Sequence, residues 1–155
     1  MKFFETSQDI LELIEEKFED SALGAIVNLK VLSVPKAKTV LKVKKASPEA
    51  HYLTDKDIIV TVYEEAFDRL SDEYKEKLVE GVFSGVFYDA EKDKLNVDSD
   101  TAKEIFRMRK KYENYVDIME ASYIIIEEIE EEERQRKEAE KLRKAEEKAA
   151  RKRNN

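Results

Sequence analysis

The chain has 155 residues, of which 41% are hydrophobic and 42% are charged, and its formal net charge at pH 7 is −7. It has no cysteine and one histidine, His51, which excludes disulfides, thiolate metal sites and any site that needs two imidazoles. No apolar run approaches the roughly 18 residues of a membrane span. The N-terminal segment carries acids where a signal or transit peptide carries bases, so we expect a soluble protein of the cytoplasm.

The negative charge is unevenly distributed along the chain. Residues 127–155 contain ten acidic and ten basic residues, so the whole net charge lies in residues 1–126. Nucleic-acid binding requires clustered Lys and Arg that contact phosphates. We therefore expect no direct nucleic-acid binding by this acidic body.

Apolar periodicity predicts one helix and three strands in the first part of the chain. We predict an amphipathic helix over residues 7–20, strands over residues 24–34, 39–45 and 58–63, and a loop over residues 47–57. The last of these strands is the most hydrophobic in the chain, which suits a central position in a sheet. Lysines in the strand at 39–45 indicate a position at or near an edge.

The middle of the chain is predicted to be mainly helical. A short helix over residues 64–70 precedes a longer one over residues 72–89, which Ser71 caps. Gly81 and Gly85 lie four apart in this second helix, where each glycine costs about 1 kcal/mol relative to alanine. Residues 90–100 are predicted to form a polar loop.

From Asp100 onward the chain has neither glycine nor proline, which predicts one continuous helix from about residue 101 to residue 150. Apolar and hydroxyl residues recur there in steps of three and four, a heptad pattern, at Ile105, Met108, Tyr112, Tyr115, Met119, Ser122, Ile126 and Ile129. We expect residues 105–119 to pack on the body. The isoleucines of residues 123–129 point in several directions, and one face of the body cannot bury them all. The candidate partner-binding or self-association residues are therefore Tyr123, Ile124, Ile125, Ile126 and Ile129.

Lysines form the one basic patch of the body, at Lys36, Lys38, Lys42, Lys44 and Lys45. The first interpretation is protection of an edge strand, because lysines discourage edge-to-edge pairing. Weak contact with nucleic acid is the alternative. Acidic clusters on the predicted helices are interpreted as solvated faces, and the alternative is a surface that imitates nucleic-acid phosphates.

The stretch Lys38–Phe87 resembles the phage metallopeptidase family, small zincin-like proteins encoded in bacteriophage genomes. That family has a basic second strand, a strand of the type DIIVxIxE, a short helix, and a helix leading into Leu-Val-Asp-His-Glu-Leu-x-His. Here DIIVTVYEEAFDRLSDEYKEKLVEG follows this pattern through Glu80. The likeness covers about a third of the chain well, and residues 7–110 more loosely.

The zinc motif of that family is absent from this chain. The resemblance places Gly81 and Gly85 at the two histidine positions and Val82 at the glutamate. Two imidazoles one helical turn apart hold the zinc in such motifs, and the carboxylate activates its water. His51 cannot rebuild a pair, and the family's further ligand would fall near Asp98 to Asp100. The resemblance therefore implies a chain that binds no metal or other cofactor and is not an enzyme.

Two interpretations of the Gly81 and Gly85 pair remain open. Replacing two histidines with glycine flattens a helix face and lets another backbone approach closely. The first interpretation is tight internal packing, for example against the C-terminal helix. The second is a groove that accepts a segment of a partner.

The predicted fold is α+β: a small zincin-like domain of three to four strands with packed helices, followed by a long charged C-terminal helix. We divide the chain into a degenerate metallopeptidase-like domain at 1–100, a heptad-patterned helix at 101–130 that packs on the body or on a partner, and a charged helical or disordered tail at 131–155.

The expected function is that of a catalytically inactive phage protein kept as a protein-binding module in the host cytoplasm. Its partner would be a host or phage protein, or a second copy bound through the C-terminal helix. Two alternatives remain: an acidic inhibitor of a host defence nuclease, acting in anti-defence by mimicry of nucleic acid, and a structural or virion-associated oligomer built through the long helix.

Overall fold

The fold is α+β, as predicted, and the computed structural model describes residues 2–154. The strands are β1 (Phe4–Glu5), β2 (Leu29–Val34), β3 (Leu41–Lys45), β4 (Ile58–Tyr63), β5 (Val86–Asp89) and β6 (Lys94–Val97). The α-helices are α1 (Gln8–Asp20), α2 (Pro48–Thr54), α3 (Glu64–Asp68), α4 (Asp72–Phe83), α5 (Thr101–Arg109) and α6 (Tyr115–Arg153). No helix within residues 2–154 is long and apolar enough to cross a bilayer.

A four-stranded mixed sheet with the order β1-β2-β4-β3 forms the centre of the molecule. Strand β4 pairs in parallel with β2, Leu29 opposite Ile58, and antiparallel with β3, Leu41 opposite Val62. The predicted central position of the strand at 58–63 is confirmed, and so is the edge position of the lysine-bearing strand. A separate hairpin pairs β5 with β6.

Apolar side chains on one face of the sheet form the core with α1 and α4. Ile10, Ile14 and Phe18 of α1 are buried, at the helical spacing predicted from the sequence. The Phe18 ring packs on that of Phe83 in α4, with centroids 5.3 Å apart. Burial of each large aliphatic or aromatic side chain contributes roughly 1.5–3 kcal/mol.

Two segments predicted to be loops have regular structure. Residues 48–54 form α2, where the Ser47 hydroxyl accepts a hydrogen bond from Ala50 N–H and Pro48 occupies the first turn, a common pairing at helix starts. None of its residues is buried, so this helix lacks the apolar period that reveals helices in a sequence. The other segment, predicted as part of the loop at 90–100, contains strand β6.

Three predicted element boundaries were wrong. The helix predicted over 72–89 ends at Phe83, and residues 86–89 form β5. The strand predicted from Gly24 starts at Leu29, after a 3₁₀ turn at Ala22–Ala25. The helix predicted from residue 101 to residue 150 is two helices, interrupted between Arg109 and Tyr115, so the heptad pattern bridges a turn.

Helix α6 has two parts with different environments. Its first part lies on the body and buries Tyr115, Ile118, Ser122, Ile126 and Ile129. Arg69 of the body forms an ion pair with Glu132, with Nη2 and Oε2 2.7 Å apart. Residues 134–153 are exposed and helical, with ion pairs inside the helix such as Lys144 with Glu140. The segment predicted as a helical or disordered tail is therefore a helix through Arg153.

Candidate binding site around the glycine positions

Gly81 faces the aromatic ring of Tyr115. A Cβ atom added at Gly81 would lie 1.9 Å from Tyr115 Oη and 2.6 Å from its Cζ, well inside van der Waals contact. Tyr115 itself is completely buried. The space that a side chain at position 81 would need is therefore occupied by a side chain from α6.

Gly85 lies beyond the end of α4, so the two glycines do not share one helix face as the sequence pattern predicted. A Cβ atom at Gly85 would lie 2.1 Å from the main-chain oxygen of Asp98 and 2.9 Å from Arg107 Nη2. The Asp98 N–H donates a hydrogen bond to the Gly85 carbonyl, 2.8 Å away. The chain's own residues therefore cover both glycines, which confirms the interpretation of tight internal packing.

A polar network lies next to this packing. Tyr115 Oη donates a hydrogen bond to Glu104 Oε2 at 2.8 Å. Burial raises the pKa of the Glu104 carboxyl above its ordinary value and outweighs the opposing effects of Tyr115 and Arg107. Burial also raises the pKa of Tyr115, with the Glu104 charge adding to the effect. Burial thus shifts the titration of both groups in the direction of the neutral form.

Arg107 connects this network to Gly85. Its Nε donates to Ser84 Oγ at 3.1 Å, and its Nη1 lies 3.7 Å from Asp98 Oδ2. Its Nη2 is buried and has no hydrogen-bond partner within residues 2–154. The guanidinium thus fixes the positions of α5, the end of α4 and the end of β6 relative to one another.

A second carboxylate, Glu80, lies on α4 one residue before Gly81. Tyr112 Oη donates to Glu80 Oε2 at 2.7 Å, and Lys111 forms an ion pair with the same carboxylate. Burial acts to raise the Glu80 pKa, but the hydrogen bonds from Lys111 and Tyr112 outweigh it, and the pKa lies below its ordinary value. The segment between α5 and α6 is thereby tied to α4.

The residues at the three degenerate motif positions do not fit a zinc ion. Gly81 and Gly85 have no ligand atom, and Val82 has no carboxylate. His51 lies on α2, where its Nε2 is 3.1 Å from Asp57 Oδ1. Among residues 2–154, no three His, Cys, Asp or Glu side chains are grouped as a metal site requires.

Asp98 and Asp100, near which the sequence resemblance would place a further ligand, have structural contacts. The Asp98 carboxylate accepts a hydrogen bond from Asp100 N–H, which lowers its pKa. Asp100 caps α5 by accepting from Lys103 N–H at 3.0 Å. Neither carboxylate joins a group of potential metal ligands.

A groove of about 720 Å³ runs along β3. Its other walls include Leu78 and Val82 of α4, Glu104 of α5, and Met119, Ser122 and Tyr123 of α6. Val82, which the sequence resemblance aligns with a glutamate, thus lines a groove of mainly apolar character. The sequence predicted the edge strand but did not indicate that these helices form a groove with it.

The five candidate partner-binding residues of α6 have different environments. Tyr123 is half-buried and lines the groove, whereas Ile124 is 53% exposed. Ile125 packs against the core from a partly buried position. Ile126 and Ile129 are 4% and 3% exposed and belong to the core of the chain itself, so only part of this set is accessible to a partner.

Sequence reasoning missed the Tyr115–Glu104 pair. The heptad pattern placed Tyr115 at a core position, and a buried hydroxyl needs a partner. That requirement was the available signal, but the partner could not be identified before the break between α5 and α6 was known. No family model, curated protein or solved structure matches this chain.

Proposed function

We propose that this chain is a catalytically inactive, metallopeptidase-like protein of a bacteriophage, and that it acts in the host cytoplasm as a protein-binding module. The proposal starts from the likeness of Lys38–Phe87 to phage metallopeptidases. The observation that carries it is the position of Tyr115: its ring fills the space where a histidine at position 81 would lie. A zinc ligand could not be restored there by one substitution, because Tyr115 would also have to move.

The groove along β3 supports a binding role. It is lined by apolar side chains of two helices and by a strand that lies at the edge of the sheet. Concave, mainly apolar sites with a few polar groups are typical of ligand and peptide binding. Burial of Ile126 and Ile129 in the core leaves few apolar residues on α6 for self-association, which favours a partner protein over an oligomer built through this helix.

The test is a pull-down from host lysate with the full-length chain and two variants of neighbouring residues on α6. Tyr123→Arg introduces a charge into the groove, and Ile124→Arg introduces the same charge at an exposed position of the same helix. We expect one partner in stoichiometric amount with the wild type and with Ile124→Arg, and its loss with Tyr123→Arg. Circular dichroism would verify that both variants are folded.

Other outcomes would contradict the proposal. If the Tyr123→Arg variant still bound the partner, the groove would not be the binding site. A particle mass that falls from oligomer to monomer in Ile124→Arg would favour the structural alternative. Stoichiometric zinc in the purified wild type, measured by elemental analysis after dialysis, would contradict the loss of the metal site.

A further inference from the structure

The charges of the C-terminal helix are segregated along its length. Residues 127–133 contain six acidic residues and no basic ones, whereas residues 134–153 contain ten basic and four acidic residues, a net charge of +6. This second part of α6 is exposed throughout. The expectation of no nucleic-acid binding was drawn from the acidic residues 1–126, so it does not apply to this distal segment.

Six of the ten basic residues form a row along one side of the helix, the basic row. They follow one another in steps of three, four, three, four and three residues, and they are Arg134, Lys137, Lys141, Lys144, Lys148 and Arg151. Residues three and four apart lie on the same face of an α-helix, so the row is about 26 Å long at 1.5 Å per residue. None of the four acidic residues of the segment occupies a position in this row.

The cations of the basic row are accessible to an external anion. Three of them, Lys141, Lys148 and Arg151, form no ion pair within residues 2–154. The other three pair with glutamates of the same helix, but their side chains are still 64–68% exposed. Because exposed ion pairs contribute little free energy, phosphate groups can compete with these glutamates.

The composition of the segment favours duplex DNA over other polyanions. A DNA duplex carries one negative charge per about 1.7 Å of its axis, so a regular row of cations meets regularly spaced phosphates. Binding to an anionic membrane needs an apolar helix face, but Leu142 is the one large apolar side chain within residues 134–153. Single-stranded nucleic acid is bound through aromatic side chains that stack on bases, and this segment has none.

The shape of an α-helix also favours DNA over duplex RNA. An α-helix with its side chains is about 10–12 Å in diameter. The major groove of B-form DNA is about 12 Å wide and admits such a helix, whereas the major groove of duplex RNA is deep and narrow.

We propose that the basic row of α6 binds double-stranded DNA through its phosphates, without reading the base sequence. The helix lies along the major groove, and the Lys and Arg side chains donate to phosphate oxygens. The end of α6 lies roughly 30 Å beyond residue 133, several times the Debye length of about 8 Å at physiological ionic strength, so repulsion between the acidic body and the DNA is screened there. This surface is separate from the groove along β3, so this proposal and the proposed function can fail independently.

The test is fluorescence anisotropy with the full-length protein and a fluorescein-labelled DNA duplex of about 20 base pairs, which exceeds the length of the basic row at about 3.4 Å per base pair. We expect an affinity that falls steeply with salt, because each neutralised phosphate releases counterions. Six phosphate contacts predict a slope of about −5 for the logarithm of the association constant against the logarithm of the salt concentration. Absence of binding at about 50 mM salt, or a slope near zero, would overturn the proposal.

Two matched double variants test the role of the basic row. Lys141→Gln/Lys148→Gln removes two cations of the row, and Arg136→Gln/Arg143→Gln removes two cations, also seven residues apart, from another side of the same helix. The first pair should weaken binding by about tenfold or more and make the salt slope shallower by about two, whereas the second should leave the slope nearly unchanged. Glutamine has nearly the helix propensity of Lys and Arg, and circular dichroism would verify that both variants keep the helix. Equal effects of the two pairs would show a general charge effect and would overturn the proposal.

Other polyanions distinguish DNA from the remaining classes of partner. The assay is repeated with an RNA duplex of the same sequence, and with poly-glutamate and anionic phospholipid vesicles as competitors at equal charge concentration. We expect the DNA duplex to bind more tightly than each of these three. Tighter binding of RNA, of poly-glutamate or of vesicles would overturn the proposal and would identify RNA, an acidic protein or a membrane as the class of partner.

Discussion

Gly81 and Gly85 are glycines because other groups occupy the positions of their missing side chains. At Gly81 the occupant is the ring of Tyr115, and at Gly85 it is the main chain at Asp98 with the Arg107 guanidinium. Neither glycine has a positive φ angle. Close packing therefore explains these glycines, and backbone conformation does not.

Gly81→Ala should destabilise the fold. An exposed Gly→Ala change within a helix gains about 1 kcal/mol, but this Cβ would lie 1.9 Å from Tyr115 Oη, and overpacking of a core costs roughly 1–3 kcal/mol. The difference of these two effects is a net loss of up to about 2 kcal/mol in the free energy of urea unfolding. In the Gly81→Ala/Tyr115→Phe double variant the loss should be smaller than the sum of the single losses. A stabilised Gly81→Ala protein would contradict the packing at this site.

At the scale of elements, helices α4, α5 and α6 are joined by two carboxyl groups with opposite properties. Glu104 of α5 accepts from Tyr115 at the start of α6, and its pKa is raised by burial. Glu80 of α4 binds Lys111 and Tyr112, and its pKa is lowered. The contacts between α4, α5 and α6 therefore include one carboxyl with a raised pKa, Glu104, and one with a lowered pKa, Glu80.

The stability of the protein should respond to pH with opposite signs at these two carboxyls. A carboxyl whose pKa is higher in the folded state contributes stability below its unfolded value, near 4.5, and that stability is lost as the pH rises through the folded pKa. Glu104→Gln removes this loss and retains an oxygen that accepts from Tyr115. Its melting temperature relative to the wild type should therefore increase as the pH rises above 4.5.

Glu80→Gln is the matched control for this measurement. The folded pKa of Glu80 is lowered, so its contribution is present above the unfolded value and is lost as the pH falls through the folded pKa. Glu80→Gln should therefore melt below the wild type at neutral pH and approach it in acid. Parallel pH profiles for the two variants would contradict the assigned environments.

For the molecule as a whole, the body and the distal part of α6 are stabilised in different ways. Ile126 and Ile129 fasten the helix to the core, and Glu132 and Glu133 pair with Arg69 and Lys36 of the body. Residues 134–153 are exposed and extend the helix by roughly 30 Å at 1.5 Å per residue. Their stability as a helix comes from opposite-charge pairs three and four residues apart.

Deletion of residues 134–155 should leave the stability of the body nearly unchanged. The helical signal in circular dichroism should fall, but the free energy of unfolding measured by tyrosine fluorescence should change by less than about 0.5 kcal/mol, as for surface changes in general. Ile129→Ala should in contrast cost about 2–5 kcal/mol, because it leaves a cavity in the core. A large loss on deletion would mean that the distal helix stabilises the body.

Local periodicity and capping in the sequence were enough to predict the central and edge strands, helix α1 and the start of α4 after Ser71. The sequence left open whether the charged segment beyond Ile129 is helical or disordered. It also determined that positions 81, 82 and 85 have no zinc ligand or base. The exposed helix α2, the hairpin after Phe83 and the break at residues 110–114 were missed, since short elements carry little apolar period. The packing of the folded chain was needed to show that Tyr115 fills the space beside Gly81, that Glu104 is its partner, and that Val82 lines a groove with β3. These contacts join residues far apart in the chain, and their geometry follows from how the helices pack on the sheet, which no local pattern encodes.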